Sequence, residues 1–157
     1  MKTFNTIWVG LFISLLASCS GVKQVATAKM TLDQKIESKN FTIYISRCLP
    51  TDLVNSTFNT DVVIKLKNDS AYGNLPFHGF LKSIISREMT SGPIDFNGPM
   101  QDFSMSNDPV KGWNIIFKVK SDEYLYQVEI EISNNGQAVA RVDSPERTSM
   151  TYFGEVY

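Results

Sequence analysis

The sequence predicts an all-β domain, an antiparallel sheet curled into a barrel or a sandwich, with one short N-terminal helix. Three observations point there. From Phe41 onward apolar residues recur with a period of two rather than 3.6. Gly, Asn and Pro punctuate the chain at short intervals, as turns between short strands require. One helical pattern stands ahead of all the alternation, and no internal repeat follows. Barrel and sandwich stay open at this level, because both bury one face of every strand.

The helix opens at Thr31-Leu32-Asp33-Gln34, a capping-box sequence in which the Thr hydroxyl and the Gln side chain serve free backbone N–H groups. Leu32 and Ile36 fall on one face. Asp33 lies early and Lys35 and Lys39 late, matching the helix dipole, so the spacing predicts a helix over residues 32–39. Phe41, Ile43 and Ile45 then alternate with polar partners until Leu49-Pro50 ends the strand. Val62, Ile64 and Leu66 mark a second strand. Asn68-Asp69 is a tight turn into a third over residues 70–75. Residues 94–97 and 101–106 read as two short strands around Gly98-Pro99, and Asn107-Asp108-Pro109 as a turn.

The C-terminal half constrains register as well as strand position. Trp113, Ile115, Phe117 and Val119 share one face; Tyr124, Tyr126, Val128, Ile130 and Ile132 share the next. Aligning an odd apolar set with an even one makes every paired sum odd, so the loop after Lys120 must have two or four residues. The following apolar set, Ala138, Ala140 and Val142, is even like its predecessor and requires an odd loop. Asn134-Asn135-Gly136 supplies three residues, with Gly136 suited to the left-handed position. A two-residue Asn-Gly turn would put Arg141 on the core face opposite Ile130. Residues 150–153 read as a last strand.

Ahead of the domain the chain carries an address. Lys2 precedes an apolar run at residues 7–16, and Leu16-Ala17-Ser18-Cys19 ends it with two small residues and a cysteine. That order is a secretory signal. The run falls short of the roughly 20 apolar residues of a membrane span. Its last four residues look like a bacterial lipobox, in which the cysteine thiol takes a diacylglyceryl group and the chain is cut before it. Residues 1–18 therefore read as a lipoprotein signal peptide, 19–30 as a flexible tether after the acylated Cys19, and 31–157 as a single β-rich domain. The expected location is the bacterial cell envelope, at the outer membrane, with the acyl chains on Cys19 holding the bilayer.

Charge narrows the partners. Loss of Lys2 takes the basic count from 15 to 14 against 16 acidic residues, a net of −2. Without a basic excess, nucleic-acid binding is disfavoured. Of the two cysteines the lipobox uses one, so Cys48 has no intrachain partner and reads as a small, partly buried apolar residue rather than a reactive thiol.

Five short motifs occur in order: Leu75-Pro76-Phe77-His78-Gly79, Gly92-Pro93-Ile94-Asp95-Phe96, Trp113-Asn114-Ile115-Ile116-Phe117, Asn135-Gly136-Gln137-Ala138 and Thr151-Tyr152-Phe153-Gly154. On these the chain, over about residues 35–157, resembles the family called domain of unknown function 4251, found in lipoproteins of Bacteroidetes. The resemblance implies a β-rich envelope domain and no particular activity. His78 stands where the family usually has an aromatic residue, and residues 80–91 are more apolar than that loop usually is.

Candidate chemistry is sparse. His78, the only histidine, lacks a second histidine or a cysteine pair for metal or triad work, and reads as filling an aromatic slot. Glu129 and Glu131 lie roughly 6.5–7 Å apart on one strand face, a spacing seen in inverting glycosidases. They fall on the polar face, where solvated charges are ordinary. No nucleophile elbow, phosphate loop, dinucleotide glycine motif or EF-hand occurs. No catalytic residue, metal site or cofactor is expected. Phe77, His78 and Phe80 are the candidate ligand-facing residues. The sequence thus favours a non-enzymatic, membrane-tethered domain binding an envelope protein or an apolar or glycan ligand. An envelope or glycan-processing enzyme and a structural accessory subunit are the alternatives.

Overall fold

The structure is a computed structural model that describes residues 30–49, 62–82, 92–122 and 124–157. The signal segment, Cys19, all of the tether but Met30, and most of residues 80–91 lie outside the described residues.

Among the described residues one helix, α1 (Leu32–Glu37), precedes eight strands: β1 (Asn40–Leu49), β2 (Val63–Lys67), β3 (Ser70–Leu75), β4 (Ile94–Asp108), β5 (Gly112–Lys120), β6 (Leu125–Ile132), β7 (Gln137–Asp143) and β8 (Met150–Val156). Each strand pairs antiparallel with the next, and β8 closes on β1. The architecture is a closed up-and-down barrel, in which each of these strands has a partner on both sides. Ile43, Ile64, Phe96, Phe117, Ile130 and Tyr152 are among the side chains that fill its interior. The outer wall carries Lys65, Lys67, Gln127, Glu131 and Arg141, all exposed. A barrel that crosses a membrane on its strands turns an apolar band outward instead. Among the described residues no helix is long and apolar enough to cross a membrane.

Loop parity decides the C-terminal register as expected. Lys120 pairs with Leu125 across a four-residue loop, and Trp113 with Ile132, so both apolar faces point inward. Ile132 pairs with Ala138, leaving Asn134-Asn135-Gly136 as the centre of the loop. Gly136 has φ +88, a left-handed backbone that a side chain would strain.

Two strands depart from simple alternation. β4 is a single strand of 15 residues rather than two short ones. Pro99 does not break it. The Met100 N–H points to β3, donating to the Asp69 carbonyl, so an N–H at position 99 would point to the β5 side, where pairing begins only at Met100. A bulge between Gln101 and Ser104, with Asp102 at φ +51, then moves the partly buried side chains from even to odd positions, Phe103 and Met105. In β1 a bulge between Ile45 and Arg47 shifts the inward phase from Ile45 to Cys48, which is buried. Gly73 leaves room for the Phe96 ring, which occupies the place a Cβ would take.

The helix seals one end of the barrel. Its capping box forms at Thr31 and Gln34, although the helix stops at Glu37, two residues earlier than its sequence pattern. Ile36 is fully buried against the barrel, and the Trp113 indole donates to Asp33 Oδ1 at 2.8 Å. The short turns at 68–69, 109–111 and 134–136 lie at this end. At one of them Asp108 Oδ1 accepts from the backbone N–H of Val110 and Lys111, which holds the carboxyl below its ordinary range.

Candidate functional site

At the opposite end, where β1 and β3 finish and β2 and β4 begin, the interior meets a charged group. Past Leu75 the chain runs on through Pro76 and Phe77 and meets the β7–β8 connection. Lys82 N donates to the Glu146 carbonyl and Thr148 N to the Phe80 carbonyl, with Leu81 and Arg147 bridged between them. Beneath this crossing lies Arg147, with only 5% of its surface exposed.

Arg147 has no carboxylate partner among the described residues. Its Nη1 donates to the carbonyls of Gly92 at 3.2 Å and Pro93 at 3.1 Å. Its Cζ lies 4.8 Å from the Phe77 ring centre and 4.3 Å from that of Tyr124. Ring faces and carbonyl dipoles thus replace a counter-ion. Nε is buried without a partner, and Nη2 makes no hydrogen bond to a described residue. A buried cation without an anion is costly to desolvate, so such groups concentrate where a ligand or a mechanism uses them.

Arg147 lines a cleft of about 280 Å³ between the start of β4 and the β5–β6 hairpin, together with Pro93, Asp95, Asp122, Tyr124 and Tyr126. The cleft exists because β4 overhangs its neighbour. Residues 94–99 pair with β3 on one side, whereas pairing with β5 starts at Met100. Asp95 and Asp122 are exposed at the rim.

Below the cleft the interior is apolar. Tyr152 is fully buried and donates to the Pro76 carbonyl at 2.8 Å. Burial pushes its phenol well above the ordinary range, with the neighbouring Cys48 and Tyr126 adding to the rise. Burial also raises the Cys48 thiol, keeping it protonated and unreactive at neutral pH.

The sequence-nominated residues separate. Phe77 is buried and forms one wall of the Arg147 stack. His78 does not fill an aromatic slot: it is exposed, because the chain beyond Phe77 has left the barrel and alternates in and out of solvent. Phe80 is 49% exposed. Glu129 and Glu131 lie on the outer wall of β6. Cys19 lies outside the described residues. Among the described residues no group of three or more His, Cys, Asp and Glu side chains could hold a metal ion.

Arg147 itself escapes a sequence reading, since it stands in a polar turn beside Pro145 and Glu146 like any surface arginine. The signal that bears on it is indirect. Three of the five motifs converge on its end of the barrel, through the carbonyls of Pro76, Gly92 and Pro93 and the phenol of Tyr152.

Fold and site together define a small closed β-barrel domain with a packed lumen and a charged cleft at its mouth. The chain belongs to the family described as Domain of unknown function (DUF4251), whose model matches residues 23–156. The crystal structure of a DUF4251 family protein from Bacteroides eggerthii is similar in fold. It shows a TM-score of 0.59 at 13% identity over 77% of this chain and 80% of that one. No curated protein matches the chain.

Proposed function

We propose that this chain is a lipid-tethered, non-enzymatic binding domain of the bacterial cell envelope, anchored at the outer membrane through acyl chains on Cys19, whose barrel mouth takes a small ligand. One observation carries the binding reading: Arg147 is a buried cation whose Nε and Nη2 bond to no described residue, and it lines a cleft. An arginine side chain stays protonated in proteins, so it holds and orients a ligand rather than shuttling protons. The lumen is filled by side chains, so a ligand binds at the surface, and the mouth cleft is the one that a buried cation lines.

The proposed tether supports the same reading. The described chain enters the domain at α1, the sealed end, so a tether from Cys19 would attach the domain by the end remote from the cleft.

The test has two parts. Protein purified from membranes should carry an acyl mass on Cys19, and Cys19→Ala should move to the soluble fraction. Native mass spectrometry of the membrane form should find a small-molecule adduct on the wild type that Arg147→Met lacks. An unacylated wild type sinks the tether; identical adduct-free spectra for both proteins sink the binding mouth. Hydrolysis of an envelope glycan by the purified protein would favour the enzyme instead.

A further inference from the structure

We infer that the ligand of the mouth cleft is a small zwitterion, with its carboxylate directed to Arg147 and its ammonium held between Asp95 and Asp122. This inference rests on the binding reading above and specifies its chemistry.

Charge and size select this class of molecule. The cleft has a buried guanidinium at its base and two exposed carboxylates at its rim. A simple anion entering it would meet Asp95 and Asp122 before it reached Arg147. A simple cation would be held at the rim and repelled from the base. A molecule carrying both charges satisfies both ends, and each contact is a charge-assisted hydrogen bond.

The polar groups fit that assignment. At Arg147, Nη1 is occupied by two carbonyls, while Nη2 makes no hydrogen bond to a described residue. Neither Asp95 nor Asp122 forms an ion pair with a described residue. The Tyr124 and Tyr126 rings, 6.0 Å apart, give the cleft an apolar wall for a short carbon skeleton. At about 280 Å³ the space lies below the usual range for drug-sized ligands, which favours a molecule of amino-acid size over a lipid or an oligosaccharide.

The experiment titrates the purified protein, followed by NMR chemical shifts, with L-alanine, D-alanine, L-glutamate and L-lysine. Propionate supplies the carboxylate alone and ethylamine the amine alone. At least one amino acid should bind saturably, with propionate and ethylamine each about tenfold weaker or more, the loss expected for one charge-assisted hydrogen bond. Asp122→Asn and Asp95→Asn alter exposed side chains and should leave the fold intact. Each should weaken the amino acid about tenfold while leaving propionate no weaker, since a carboxylate that opposes the anion is removed. Propionate binding as tightly as the amino acids, or amino-acid binding indifferent to both Asp variants, would overturn the zwitterion while the binding mouth stands. No binding by any of the six probes overturns the zwitterion too. The binding mouth is then judged separately by the Arg147-dependent adduct on the membrane form.

Discussion

The two ends of this barrel solve the same problem by different means. At the sealed end the sequence supplies everything locally: a capping box, a helix that inserts Ile36, an indole tied to Asp33, and turns of two or three residues. At the mouth a crossing segment and a buried arginine close the core, and among the described residues two rings and two carbonyls balance the charge. The first arrangement is built for stability. The second holds an ionic group where an apolar one would serve packing as well, and the proposed recognition site rests on that contrast. The proposed ligand would supply the anionic partner that no described residue gives Arg147.

Core truncation tests this contrast most severely. Ile36→Ala at the sealed end should cost about 2–5 kcal/mol in urea unfolding. Arg147→Met at the mouth should stay within about 1 kcal/mol of wild type, since relief of desolvation offsets the lost hydrogen bonds and ring contacts. Equal and large losses at both ends would mean that the arginine is a structural plug.

A smaller effect belongs to the mouth half alone. Cys48 and Tyr152 sit opposite each other in β1 and β8, and burial raises both above their ordinary values of 9.0 and 10.0. At alkaline pH the unfolded chain loses these protons while the folded chain keeps them. Stability should therefore be level below about pH 8 and fall progressively as pH rises past about 9 and 10. Tyr152→Phe should cost about 1 kcal/mol at neutral pH through the lost bond to Pro76 and should flatten that alkaline fall. An unchanged slope, measured by unfolding from about pH 7 to 10.5, would contradict the assignment.

The mildest substitution concerns the sealed end. Thr31→Ala removes the cap that receives the Gln34 N–H and should cost about 1 kcal/mol. The amide-exchange change should be confined to α1 and the turns around it, with the mouth residues unaffected.

The same division runs through what could be read from residues. The sealed end was legible because its determinants are neighbours in sequence: Thr31 with Gln34, Asn68 with Asp69, Asn134 with Gly136. The pairing of β5, β6 and β7 followed from parity alone, because a slip of one residue would turn a whole apolar face outward. The β4 strand was harder, since Pro99 signals a break unless its missing N–H is known to face the unpaired side. His78 enters the candidate site because it stands where the family usually has an aromatic residue, and the chain's exit from the barrel places it in solvent.

Residue order alone carries the all-β class, the helix cap, the strand faces, the loop parity from β5 to β7 and the family. These rest on periodicity, turn chemistry and short motifs, which are local. The return of β8 to β1 that makes a barrel rather than a sandwich emerges only in three dimensions. So does the burial of Arg147 beneath a crossing segment, in one cleft with Asp95 and Asp122. Both depend on contacts between residues far apart in the chain, as between Arg147 and Gly92, and nothing in a stretch of neighbouring residues carries that information.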